Sequence, residues 1–278
     1  MRLINEFIHS LFDMNNNYTS LILLFFILNI GIPNKSDLGK NKISFVQSDS
    51  TINENKISTP QIDNQEIKGE KIIEKYISAI GGKEAINKIM DRTTYITGKV
   101  QSMNIHIVVY QKIPNKYYQK IELGAAEQKI IFDGEKGIMI TNDNKQEIKG
   151  LDFEKLKYES AMPLMLYPSA YGVKIEFKGV EKVKGNKAYK IVLKFPGGME
   201  WTQYYDTTTY LKIEEIKPVN SPDNRVINQA TFFSNYQEAE GVKYPFTIKQ
   251  ILGQSKFEFH VDSIKVNAGL SDRNFDIE

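Results

Sequence analysis

Apolar positions along this chain change their period, and the changes divide it into elements. Ile72, Ile73, Tyr76, Ile77 and Ile80 recur at helical spacing and place one apolar stripe on a helix beginning near Glu66. Gly81-Gly82 stops that helix. Ala85, Ile86 and Ile89 mark a second, shorter one, so a two-helix cap precedes the strands. After Asp91 the period falls to two: Met103, Ile105, Ile107 and Val109 alternate with Asn104, His106, Val108 and Tyr110. Further strands are expected at Thr93–Val100, Lys116–Leu123, Glu127–Phe132 and Lys136–Thr141. Turns at Pro114-Asn115, Gly124-Ala125 and Asp133-Gly134 separate them, the last a strong hairpin signal.

The alternation lapses between Leu151 and Tyr171. A short helix is expected from Asp152 to Tyr158, followed by a Pro-broken apolar segment holding Met162, Leu164, Met165, Leu166 and Tyr167. Strands resume at Val173–Val180, Lys187–Phe195, Glu200–Tyr205, Tyr210–Ile216, Val226–Tyr236, Val242–Leu252 and Lys256–Val266. About a dozen strands in meander order are too many for a flat sheet. The predicted fold class is mainly β with flanking helices (α+β): an incomplete antiparallel β-barrel of about 11–12 strands with a helical plug. Its inner face is read as apolar (Val173, Ile175, Phe177; Tyr189, Ile191, Leu193; Val242, Tyr244, Ile248; Phe257, Phe259, Val261) and its outer face as polar. An outer-membrane barrel would show the reverse.

Residues 1–32 carry the apolar run Leu21 to Ile32, too short for a bilayer span and suited to a signal-peptide core or an N-terminal anchor. Met14 offers a second start. Residues 33–65 are rich in Asn, Ser, Lys and Asp and read as a flexible linker, leaving 66–278 as the barrel domain. Lys+Arg 36 against Asp+Glu 34 leaves a net charge of +2, too balanced to point to nucleic acid. The absence of cysteine excludes disulfides, a thiolate metal site and a lipidated N-terminal cysteine.

Catalytic constellations are scarce. His9 lies in the leader, and His106 and His260 fall on the polar sides of their strands, without zinc spacing. Glu214 and Glu215, adjacent on a strand, point to opposite faces and cannot share a proton. Glu238 and Glu240 sit at a solvated turn, and Asp143-Asn144 resembles a calcium loop only loosely. The apolar face is read as carrying almost no titratable groups. No catalytic residue, metal or cofactor is therefore assigned.

Residues 161–167 stand out. Met162, Leu164, Met165, Leu166 and Tyr167, punctuated by Pro163 and Pro168, form an adaptable apolar plug. Either it lids the sheet and completes the core, or it is a movable lid over a cavity that accepts acyl chains. Trp201, the single tryptophan, is either a core anchor or part of the cavity mouth.

The ordered segments EKIIEKYISAIGGKEAINKI, TTYITGKV, KIIFDGEKGIMI, YYDTTTYLKIEEI, FFSNYQEAEGVKYPFTIKQ and FEFHVDSIKV resemble the outer-membrane lipoprotein-sorting (LolA/LolB-like) superfamily. Asp206–Thr209 and Gly241–Pro245 match turn motifs of that family. The resemblance implies an incomplete barrel whose apolar cavity holds lipid or lipoprotein acyl chains, a periplasmic location and no enzymatic activity. The family's carrier uses a cavity arginine, to which no residue here is assigned; Arg92 opens the first strand. The receptor branch is lipidated on a cysteine this chain lacks. The alternative function is an envelope interaction module with membrane-protein partners and no lipid ligand.

Overall fold

The computed structural model describes residues 68–100, 103–221 and 225–277. The apolar leader, the linker and His9 therefore lie outside the described residues, as does the turn read at 222–224. Two helices, α1 (Gly69–Ala79) and α2 (Gly82–Ile86), lead into a first meander: β1 (Asp91–Val100), β2 (Met103–Lys112), β3 (Lys116–Leu123), β4 (Ala126–Phe132), β5 (Gly137–Thr141) and β6 (Asn144–Glu147). Helix α3 (Gly150–Ser160) and a 3₁₀ turn (Pro168–Tyr171) interrupt it. A second meander follows: β7 (Lys174–Val183), β8 (Asn186–Lys194), β9 (Glu200–Asp206), β10 (Lys212–Asn220), β11 (Val226–Ala239), β12 (Val242–Leu252) and β13 (Ser255–Val266).

All these strands form one antiparallel sheet in the order β6-β5-β4-β3-β2-β1-β13-β12-β11-β10-β9-β8-β7. The first strand pairs with the last, Thr94 opposite Ile264, and so joins the two meanders. β6 and β7 remain as separate edges, so the barrel is open.

The sheet has to curl. The α3 side chain Leu156 lies 2.9 Å from where a Cβ on Gly137 of β5 would stand. From the same helix, Glu159 reaches Lys217 of β10 at 3.1 Å. Those strands are eight steps apart in the sheet, about 38 Å if it were flat, whereas a helix of 11 residues is only about 16 Å long. One helix can touch both only if the sheet wraps around it. Helix α1 packs into the same concavity with Ile72, Ile73 and Tyr76 buried. Its C-terminus locks onto the β11–β12 turn: Lys243 N–H donates to Ile80 C=O (2.7 Å). Gly81 there (φ +131°) approaches so closely that a Cβ would stand 2.3 Å from the Gly241 carbonyl.

The family-like turn motifs are structural. The Asp206 carboxylate accepts from Thr208 N–H (3.0 Å), Thr209 N–H (2.7 Å) and the Thr209 hydroxyl (3.0 Å), closing the β9–β10 turn. Val242 and Tyr244, after Gly241, are fully buried. A strand not foreseen in the sequence is β6, whose four residues are all exposed and polar, so no alternation betrays it. It pairs through a two-residue turn in which Asn142 (φ 46°) and Asp143 (φ 68°) are both left-handed; the acidic loop is a hairpin turn. β10 begins two residues later than expected and runs on to Asn220 through Pro218. Pro218 pairs with Asn228 of β11, while the β9 ladder stops at Ile216, so its missing N–H faces an unpaired edge.

Candidate functional site

The interior is the candidate site, and it departs from the apolar concavity expected. On β10 the arrangement is inverted relative to a simple amphipathic strand. Lys212, Glu215 and Lys217 point inward and are nearly inaccessible, while Ile213 and Ile216 pack on the outer face with Val183, Ala188 and Tyr204. A bulge between Lys212 and Glu214 makes this possible. Residues three apart would otherwise face opposite sides, and the extra residue brings Lys212 onto the same side as Glu215.

These groups form an ionic chain. Lys212 Nζ donates to Glu215 Oε2 (3.0 Å), and Lys217 Nζ contacts Glu215 Oε1 (2.6 Å) and Glu159 Oε1 (3.1 Å). Gln203 Nε2 donates to Glu215 Oε2 (2.6 Å), and the Tyr205 hydroxyl donates to Gln203 Oε1 (2.5 Å). The chain continues on α3, where Lys155 lies 3.8 Å from Asp152, which accepts from Asn220 Nδ2 (3.0 Å). Lys217 also sits 4.1 Å above the Trp201 ring, and Trp201 packs on Phe195, itself packed on Tyr158 of α3. The expectation that the interior holds almost no titratable groups is thus corrected. Here pairing rather than polarity decides what can be buried.

Burial acts on Glu159, Glu215 and the three lysines, and the neighbours decide the outcome. Burial pushes the Glu215 carboxyl up, but Lys212 and Lys217 more than reverse this and hold it at about 2. Burial also pushes Glu159 up, and Lys217 and Lys155 only partly offset it. Lys212 and Lys155 are pulled down by burial. Lys217 is lowered by burial, yet its two carboxylate partners leave it raised.

Arg92, which the sequence left unassigned, is buried on β1. It donates to Gln111 Oε1 and lies 5.2 Å from the Tyr244 ring. His106 and His260 are exposed, in keeping with their strand positions. Glu214 and Glu215 face opposite sides, and Glu238 and Glu240 are exposed. Among the described residues no group of three or more His, Asp or Glu side chains is arranged to hold a metal ion.

The plug residues lie immediately after Glu159. Met162, Leu164 and Met165 are fully buried within the main apolar cluster, which takes in α1, α3 and both meanders. Leu166 is partly buried against it, and Tyr167 is half-buried beneath Lys83 (4.5 Å from the ring). Trp201 is buried in the same cluster. The structure therefore brings Met162, Leu164, Met165, Leu166 and Trp201 together. Local backbone bonds shape the plug: Leu164 N–H donates to Ala161 C=O, and Leu166 and Tyr167 N–H to Pro163 C=O. Met162 N–H reaches out to Pro114 C=O (3.2 Å) after β2.

A groove of about 650 Å³ opens beside this interior, between the start of α3 (Leu151, Glu154), the β8–β9 turn (Pro196 to Glu200), and β10–β11 (Pro218, Val226). It lies where Pro218 ends the β9 ladder, and between the two elements that carry Glu159 and Lys217.

No protein-family model matches the chain, and no curated protein sequence does. Solved structures do. A DUF1329 family protein from Desulfovibrio piger aligns with a TM-score of 0.51 at 12% identity, covering 75% of this chain and 97% of the other. A LolA superfamily protein from Nitrosomonas europaea aligns with a TM-score of 0.51 at 13% identity, covering 76% and 98%. The chain has a LolA-like fold. At these identities the likeness concerns the fold, and function has to be argued from the site.

Proposed function

We propose that this chain is a non-catalytic periplasmic carrier that holds lipid or lipoprotein acyl chains inside its open barrel, with residues 161–167 as a displaceable lid. The observation that carries this reading is the plug. Unbranched, adaptable methionines and a leucine fill the concave face, on a segment held to the rest of the backbone by the Met162–Pro114 hydrogen bond. Swinging that segment out would expose apolar wall suited to an acyl chain without breaking a strand pairing. The LolA-like curl and the open groove beside α3 support this reading, with the groove as the proposed way in. The apolar run Leu21 to Ile32, read as an export signal, supports an envelope location.

The test is to purify the full chain from an envelope fraction, identify co-purified lipids by mass spectrometry, and titrate the protein with a fluorescent fatty-acid probe. Recovered acyl lipids and saturable, displaceable probe binding are expected. Absence of both would refute the carrier and leave the interior as plain core.

A further inference from the structure

We propose that Glu159 with Met162, Leu164 and Met165 is a built-in stand-in for a single-chain anionic amphiphile, and that Lys212 and Lys217 form the seat for that ligand's carboxylate or phosphate head. The inference rests on the acyl-chain reading above and narrows it to a ligand class.

The argument begins with order along the chain. One carboxylate is followed within six residues by the buried side chains of Met162, Leu164 and Met165, a head and then a tail, on a single segment that includes the lid. The carboxylate meets the sheet at Lys217 (3.1 Å), which Glu215 and the Trp201 ring hold in place on the wall. When the lid swings out with the last turn of α3, Glu159 leaves with it, while Lys155 and Asp152 stay paired on the rest of the helix (3.8 Å). Lys212 and Lys217 then face Glu215 alone, a wall charge of 2 − 1 = +1. A buried cation without its counterion is costly, so the incoming ligand has to bring an anion to the position Glu159 vacates. A neutral acyl ester would fill the apolar part and leave Lys217 half-paired. Matched burial of charge thus selects for an anionic head, and Glu159 competes for the same seat in the closed state.

The test is probe displacement from the full chain by four amphiphiles sharing one tail: palmitate, hexadecyl phosphate, hexadecanol and hexadecyltrimethylammonium. Palmitate or hexadecyl phosphate is expected to displace the probe at about tenfold lower concentration than hexadecanol, the size of one charge-assisted hydrogen bond. The better of the two identifies the head. Glu159→Gln, which removes the competitor and leaves Lys217 paired with Glu215, weakens only the closed state, so in direct titration it is expected to tighten palmitate and hexadecanol several-fold by the same factor, the ratio between them unchanged. No tightening of either would overturn Glu159 as the stand-in. Lys212→Gln, or Lys217→Met where it folds by circular dichroism, is expected to erase the preference for the anion. Equal displacement by palmitate, hexadecyl phosphate and hexadecanol in the unmutated protein would overturn the head seat while the acyl-chain reading stands. Failure to bind the probe at all would overturn both.

Discussion

Lys217→Met is the sharpest perturbation of this interior. The side chain's Nζ meets Glu215 at 2.6 Å, Glu159 at 3.1 Å and the Trp201 ring at 4.1 Å. Methionine keeps the apolar stem and much of the volume, so the cavity contribution is small. What is lost is the cation, and removing one partner of a buried pair costs about 3–5 kcal/mol. Glu215 keeps Lys212 and Gln203, so the lower end, about 3 kcal/mol at neutral pH, is expected. The deficit also depends on pH. Glu159, already pushed up by burial, loses the strongest of the charges that oppose this. Its folded-state value then rises further above the unfolded one. For a carboxyl raised in this way, the associated stability is fully present below about pH 4.5 and is lost as pH climbs through the folded value. The gap between variant and parent should therefore shrink towards acid. Trp201, the single tryptophan, is buried beneath the mutated group and reports unfolding directly. Urea titrations by its fluorescence at about pH 5 and about pH 7.5 measure both effects, and with a slope of about 3 kcal/mol/M the neutral midpoint falls by about 1 M. A loss below about 1 kcal/mol, or one identical at the two pH values, would refute the account of the cluster.

Other perturbations probe separate links. Glu215→Gln removes a carboxyl held from the usual 4.5 down to about 2. At about 1.4 kcal/mol per pH unit this is a loss of roughly 3 kcal/mol. Because the folded value is depressed, that contribution is present above about pH 4.5 and fades as pH falls through 2, so the variant should converge with the parent in strong acid, as followed by circular dichroism. Gly81→Ala places a Cβ against the Gly241 carbonyl at φ +131°. A cost of about 2–4 kcal/mol and faster hydrogen exchange across α1 are expected, and a melting temperature unchanged within error would contradict the docking described. Met165→Ala should cost about 2–3 kcal/mol in stability. If the plug is displaceable, the same change should tighten fatty-acid probe binding, since only the closed state is weakened; reduced stability with unchanged affinity would mark it as static core. Asp206→Ala deletes three accepted hydrogen bonds in the β9–β10 turn and should cost about 1–2 kcal/mol in a thermal melt.

Local pattern determined much of this molecule. The helical stripe Ile72, Ile73, Tyr76 and Ile80, the period-two strands and the Gly and Asp turns were all legible, because each depends on neighbours within a few residues. So was the apolar plug, as a break in alternation. Sequence did not reveal β6, whose NKQE has no apolar side to register and whose place depends on β5 being there to pair with. Nor did it reveal the ionic interior. Read by polarity alone, Lys212, Glu215 and Lys217 belong outside and Ile213 and Ile216 inside; the bulge at Lys212 and the return of Glu159 from 58 residues away in sequence reverse that. A charge is tolerated in a core only when its partner is delivered to it, and delivery is a property of the curled sheet and of α3 crossing it. The order of strands, turns and helices was thus set by the chain's own periodicity, whereas which face became the interior of β10, and hence what the barrel can hold, was decided by tertiary pairing.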